Sequence, residues 1–288
     1  MGERVTVFAL RNLHPSGLAP FAAPGTLSYE HFHGDNFCIF VERQPISPGP
    51  ILWAARSWDD SPWRRTAEIA QAAEAIFEIC GEEPDLLLAY GECTRSNRLS
   101  CIAAYCRQLR AMAVRRIVFF DMHRADIANI LGERAMQLPT TELWAKYAGT
   151  LATPIDAVVS PDLGREFAAA SLAKLLHVEH VAMNKRRPND EVPWSMRGKR
   201  AFVVDDEIVS GRTLMETVER LELAGAKSID IAITYGFCSG EILAALASRP
   251  IVRSVAISDL IARPSGGKWK TIQMAGPLIE RFTSLRNL

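Results

Sequence analysis

Two adjacent carboxylates at the end of an apolar run mark the stretch of the 288-residue chain richest in usable chemistry, Val203-Val-Asp-Asp-Glu-Ile-Val-Ser-Gly-Arg-Thr213. The pattern reads as a strand over Ala201 to Val204, an acidic tip Asp205-Asp206-Glu207, and a loop of small residues opening a helix from Thr213 to Leu223. Backbone N–H groups of Ser210 to Thr213, with the positive end of that helix, form a nest suited to a terminal phosphate. Adjacent carboxylates can accept hydrogen bonds from vicinal hydroxyls, so a sugar phosphate satisfies both halves. An acidic turn with a Ser or Thr helix cap satisfies the same pattern, and the segment alone leaves the two readings even.

Other chemistry-bearing residues fall just after apolar runs. Asp121 and His123 follow Ile117-Val-Phe-Phe120, and Asp162 follows Ile155-Asp-Ala-Val-Val159. The ends of strands are where open α/β sheets hold ligands. Lys185-Arg-Arg187 opens a polar segment reaching to Gly198, a candidate mobile loop that on its own reads as a solvated basic turn. The six cysteines, Cys38, Cys80, Cys93, Cys101, Cys106 and Cys238, contain no C-x-x-C and read as reduced thiols.

The elements that must position these residues alternate. Short β-rich runs (Val5 to Leu10, Phe37 to Glu42, Ile51 to Arg56, Leu86 to Tyr90) exchange with helical patterns, which argues for α/β layers. One helix starts at Ser61-Pro62, carries Ile69, Ala72, Ala73, Ile76 and Ile79 at helical spacing and stops near Gly81; another is expected over Leu99 to Ala113. The same grammar recurs from about residue 150: helix Glu166 to Leu176, strand Val178 to Met183, strand Ile229 to Ile233, strands at Val252 to Ser258 and Thr271 to Met274, and a last helix over Pro277 to Leu285. This predicts an α/β protein of two domains, each with a mostly parallel central sheet flanked by helices, divided as residues 1–147 and 148–288, the final helix being a candidate to pack back on the N-terminal domain.

Composition narrows the function classes. The chain is 48% apolar and 23% charged, and its 33 Lys+Arg balance 33 Asp+Glu, so no global field draws it to nucleic acid or an anionic membrane surface. No apolar run approaches the roughly 18 residues of a membrane span, and the start reads as a strand instead of a signal peptide. Met1-Gly-Glu-Arg-Val-Thr6 formally fits a myristoylation pattern, but the strand that follows gives Gly2 an ordinary structural role. A cytoplasmic protein is expected.

A hydrophobic pair, Asp-Asp, and a Ser/Thr-Gly-x-Thr loop together resemble the PRPP-binding signature of the phosphoribosyltransferase superfamily. Further segments then match the ribose-phosphate diphosphokinase (PRPP synthetase) family in order: Tyr90-Gly91 with Arg95 and Arg98, Asp121-Met-His123, Val158-Val-Ser-Pro-Asp-Leu-Gly164, Asn184-Lys-Arg-Arg-Pro188, Ala224-Gly-Ala-Lys227 and Thr234-Tyr-Gly-Phe-Cys-Ser-Gly240. The resemblance runs from about residue 30 to the C-terminus. Where the family has Asp-Thr-Gly-Gly-Thr, this chain has Val209-Ser-Gly-Arg-Thr213, and where it has Phe-Ser-Asp-Gly-Glu, this chain has Phe32-His-Gly-Asp-Asn36.

The resemblance implies an enzyme that joins ribose 5-phosphate to the diphosphoryl group of Mg-ATP, with two phosphoribosyltransferase-like domains, nucleotide on the N-terminal side and ribose 5-phosphate on the other. It implies Lys185 and Arg187 as catalytic groups over the transferred diphosphoryl. Asp205, Asp206, Ser210, Gly211, Arg212 and Thr213 would bind ribose 5-phosphate, Phe32, Arg95, Arg98 and His123 would bind the nucleotide, and His123 and Asp162 would lie by Mg²⁺. It further implies a homo-oligomer whose nucleotide site lies at a subunit interface. Two alternatives share the sugar-phosphate loop: a phosphoribosyltransferase that consumes PRPP, and a non-catalytic regulatory subunit of a synthetase.

Overall fold

Apolar runs too short for helices and without polar alternation become strands buried on both faces, as parallel sheets require. Ile51-Leu-Trp-Ala54 and Ala157-Val-Val-Ser160 are buried at every position. The computed structural model describes residues 5–12, 22–32, 37–42, 44–57, 62–91, 98–121, 126–162, 166–183, 196–262 and 269–286. They fall into two compact units, one of residues 1–138 with 260–262 and 275–288, the other of residues 139–259 with 263–274.

In the first unit the strands are β1 (Val5–Ala9), β2 (Ala22–Gly25), β3 (Leu27–His31), β4 (Phe37–Val41), β5 (Ile51–Ala54), β6 (Arg56–Ser57), β7 (Asp85–Leu88), β8 (Arg116–Phe120) and β9 (Ala135–Leu138). Helices α1 (Pro62–Cys80), α2 (Leu99–Ala111) and α3 (Asp126–Leu131) join them. Six strands form one wholly parallel sheet in the order β2-β1-β5-β7-β8-β9. The antiparallel pair β3 and β4 stands apart from it.

The second unit holds α4 (Thr141–Ala148), β10 (Ala157–Ser160), α5 (Glu166–Leu176), β11 (Glu179–Ala182), β12 (Arg200–Ile208), α6 (Arg212–Leu223), β13 (Ser228–Gly236), α7 (Gly240–Ala247), β14 (Val252–Ser258) and β16 (Lys270–Ile272). Its sheet is also six-stranded and parallel, β11-β10-β12-β13-β14-β16. Strand β15 (Ile261–Ala262) returns to pair with β6, and α8 (Ala275–Arg286) belongs with the first unit.

Three expectations shift. Ile79 is exposed, so the buried stripe of α1 ends at Ile76. Helix α2 stops at Ala111, where Met112 turns extended and Arg134 binds the carbonyls at this end, its Nη1 donating to Arg110 O at 2.9 Å and its Nη2 to Met112 O at 3.3 Å. The carboxylates Asp205 and Asp206 lie inside β12, not in a loop beyond it. By contrast α6 ends as its sequence suggests: Gly225, at φ 78°, donates to Glu222 O and Ala226 N donates to Leu221 O, both at 3.0 Å, the Schellman pattern.

Candidate active site

The core of the second unit delivers the acidic pair. β12 lies between β10 and β13, but pairing with β10 stops at Val159↔Val203 whereas pairing with β13 continues to Ile208↔Gly236. Backbone pairing of Asp205 with Ile233 and of Glu207 with Tyr235 holds the strand extended through residues of low β-propensity. Past Val203 the strand therefore runs along one neighbour only, and here stand Asp205 and Asp206, 8% and 5% exposed. A strand sends successive side chains to opposite faces, so the two carboxylates bracket the strand. Asp206 N donates to Asp205 Oδ1 at 2.9 Å, which satisfies part of a carboxylate that burial would otherwise penalise. Asp162, half-buried, lies two residues beyond the end of β10, at the same edge of the sheet.

From Ile208 the chain passes through exposed Val209 and Ser210 to Gly211, which caps α6 in the left-handed region at φ 72°. An ideal Cβ there would meet Ile242 Cγ2 of α7 at 2.4 Å, so both conformation and space call for glycine. No side chain caps the helix. Arg212 N reaches Ser210 Oγ only at 3.4 Å, leaving the first-turn N–H groups available to an anion. Arg212 is 84% exposed in its side chain, with Nε 3.6 Å from Glu216 Oε1. Thr213 is half-buried, its carbonyl accepting from Thr217 Oγ1 at 2.8 Å. Thus six of the expected residues form one continuous strand, loop and helix with Asp162 on the adjacent strand end.

Two of the residues expected to bind the nucleotide, Phe32 and Arg98, are described, and both lie in the first unit. Phe32 is exposed directly after β3, and Arg98 is exposed at the head of α2. Asp121 directly follows β8, is buried, and has φ 40°, a conformation uncommon outside glycine. Arg95, His123, Lys185 and Arg187 lie outside the described residues.

Sequence reasoning passed over two features of this unit. Buried Glu68 accepts from Arg11 Nε and Nη2, each at 3.2 Å, and from Arg64 Nε at 3.0 Å. Arg11 itself sits at φ 53° and its N–H donates to Tyr29 Oη at 2.5 Å; burial pushes the Tyr29 hydroxyl above its ordinary pKa, so it stays protonated as an acceptor. The second is Arg65, buried on α1. Its spacing to Ile69, Ala72 and Ile76 puts it on the apolar stripe, and a charge on that stripe was the available signal.

Among the described residues no group of three or more His, Cys, Asp or Glu stands together as a ready-made metal cage. Mg²⁺ is commonly bound by one or two carboxylates with substrate phosphates completing the shell, and Asp162, Asp205 and Asp206 are hard oxygen donors of that kind. The residues present fit that ion. Among the same residues no helix is long and apolar enough to cross a membrane.

No family model matches the chain. In sequence it is 31% identical over 173 residues to a ribose-phosphate pyrophosphokinase of Caldanaerobacter subterraneus subsp. tengcongensis, covering 58% of this chain and 54% of that one. It is 26% identical over 251 residues to the ribose-phosphate pyrophosphokinase of Fusobacterium nucleatum subsp. nucleatum, covering 82% and 79%. The chain spans about half the length of the first curated relatives it matches, 44% to 54%. In fold it is similar to a phosphoribosylpyrophosphate synthetase from Mycobacterium smegmatis, with TM-score 0.82 at 20% identity, over 99% of this chain and all of the other.

Proposed function

We propose that the chain is a member of the ribose-phosphate pyrophosphokinase (PRPP synthetase) family and that it transfers the diphosphoryl group of Mg-ATP to ribose 5-phosphate. The anomeric hydroxyl attacks the β-phosphorus. A C1–O–P bond forms as the bond between the β-phosphorus and the α,β-bridging oxygen breaks, AMP leaves with that oxygen, the hydroxyl proton passes to solvent, and the product is PRPP.

The observation that carries this reading is the run from β12 to α6. The uncapped start of α6, with Ser210, Gly211, Arg212 and Thr213, accepts the 5-phosphate, and Asp205 and Asp206 take the ribose hydroxyls directly or through Mg²⁺. Bound Mg²⁺ would neutralise charge on the triphosphate, with Asp162 and His123 beside it. Phe32, Arg95, Arg98 and His123 serve the adenine nucleotide. Lys185 and Arg187 neutralise charge that develops on the diphosphoryl group, which is where preorganised cations act most strongly. Residues 1–147 then form the nucleotide side and 148–288 the ribose 5-phosphate side of a cytoplasmic homo-oligomer, with the nucleotide bound at a subunit interface.

Single-turnover measurement of Lys185→Ala and Arg187→Ala separates chemistry from binding. Each change is expected to lower the rate by about 10²- to 10³-fold, the scale for losing one charge-stabilising donor, while ribose 5-phosphate still binds. Variants that turn over at the wild-type rate would remove both residues from the reaction.

A further inference from the structure

Arg65 is a cation held almost wholly inside the first unit, 1% exposed, and none of the substrate roles above uses it. Its Nε donates to Ala55 O at 3.1 Å, its Nη2 to Ala54 O at 2.5 Å and its Nη1 to Tyr90 O at 2.7 Å. All three acceptors are backbone carbonyls at the C-terminal rim of β5 and β7. The register of this pair ends at Ala54↔Leu88, with Ala89 N still reaching Ala54 O at 3.4 Å. Just past that last rung the guanidinium bridges the two departing chains.

A guanidinium is a rigid planar fork, so three bonds to carbonyls on two strands fix where those strands part. Simple core stability would be served as well by an apolar residue on the stripe of Ile69, Ala72 and Ile76, because replacing a buried charge by a well-packed hydrophobe is often neutral or stabilising. The charge sits instead at the rim where parallel α/β sheets hold ligands, at the root of the stretch that runs from Tyr90-Gly91 to Arg98. We infer that Arg65 is a positioning residue for the nucleotide side: it acts through the carbonyls of Ala54, Ala55 and Tyr90 to set the start of that stretch, and touches no substrate itself. The inference rests on the assignment of Arg95 and Arg98 to the nucleotide.

The test is steady-state kinetics of Arg65→Lys and Arg65→Met, with each substrate varied at saturating co-substrate, beside urea unfolding and equilibrium binding of Mg-ATP. Lysine keeps the charge but cannot span three carbonyls. The KM for Mg-ATP is expected to rise about tenfold in Arg65→Lys, as for one lost hydrogen bond to a charged group, and further in Arg65→Met. The KM for ribose 5-phosphate should stay within about twofold, and the Mg-ATP dissociation constant should follow its KM. Unchanged Mg-ATP constants in a wild-type-like Arg65→Lys overturn the inference alone. Equal rises for both substrates, in step with a lower urea midpoint, make Arg65 a purely structural residue and also overturn it. A wild-type protein that binds no Mg-ATP overturns the nucleotide assignment, and the inference with it.

Discussion

Gly211 carries both a backbone angle and a close approach, φ 72° and a virtual Cβ 2.4 Å from Ile242 Cγ2. Gly211→Ala therefore meets two separate penalties, about 1–2 kcal/mol for the left-handed backbone and about 1–3 kcal/mol for the overpacked contact. We expect a loss of about 2–5 kcal/mol in urea unfolding, with weakened binding of ribose 5-phosphate. Trimming the neighbour in the double variant Gly211→Ala/Ile242→Ala should recover part of the contact penalty and none of the backbone penalty. A Gly211→Ala protein as stable as the parent would contradict the geometry of this turn. The need for glycine here was readable from a Ser-Gly-x-Thr loop opening a helix. The need for Arg65 was not, because hydrophobic periodicity says which face is buried but not that a cation on that face will find three carbonyls.

Strand β7 shows how an element can be pinned at its first residue. Its first residue, Asp85, is fully buried and accepts from Arg115 Nε at 3.0 Å and from Arg286 Nη1 at 3.3 Å, with Arg116 Nε 4.0 Å away. Burial pulls the Arg286 pKa down while Asp85 opposes that shift, and Arg286 Nη1 also donates to Gly49 O at 2.6 Å, so the carboxylate anchors α8 to the sheet of the first unit. Removing one partner of a buried pair commonly costs about 3–5 kcal/mol, and the partial exposure of Arg115 moves Asp85→Ala toward the lower end. A shift in unfolding free energy below about 1 kcal/mol would mean the cluster is screened like a surface pair. At this scale the long, periodic elements were legible: α5 and β14 match their sequence bounds, Glu166–Leu176 and Val252–Ser258. The edge strand Ala22-Ala-Pro-Gly25 was not, since alanine, proline and glycine have poor β-propensity and it forms only because β1 offers a free edge. Strand β3 escaped for a related reason: Leu-Ser-Tyr-Glu-His alternates weakly and is held by pairing with β4.

Over the whole chain, two parallel sheets follow from the repeated alternation of apolar runs and amphipathic helices, and the fold matches a PRPP synthetase from end to end. Local composition could not show that β12 runs through its own carboxylates, because the length of that strand is set by β13 beside it. The departures from the family's pattern at Val209, Arg212 and Asn36 change the charge carried by the sequence, while β12, the loop after it and α6 still form one continuous strand, loop and helix. The central claim is diphosphoryl transfer, and its direct test is the appearance of AMP and PRPP from the purified protein with Mg-ATP, with and without ribose 5-phosphate. AMP and PRPP formed in equal amounts, and only when the sugar phosphate is present, are the expected result. Binding of ribose 5-phosphate and Mg-ATP without either product, or pyrophosphate released from added PRPP in the presence of a base, would contradict it.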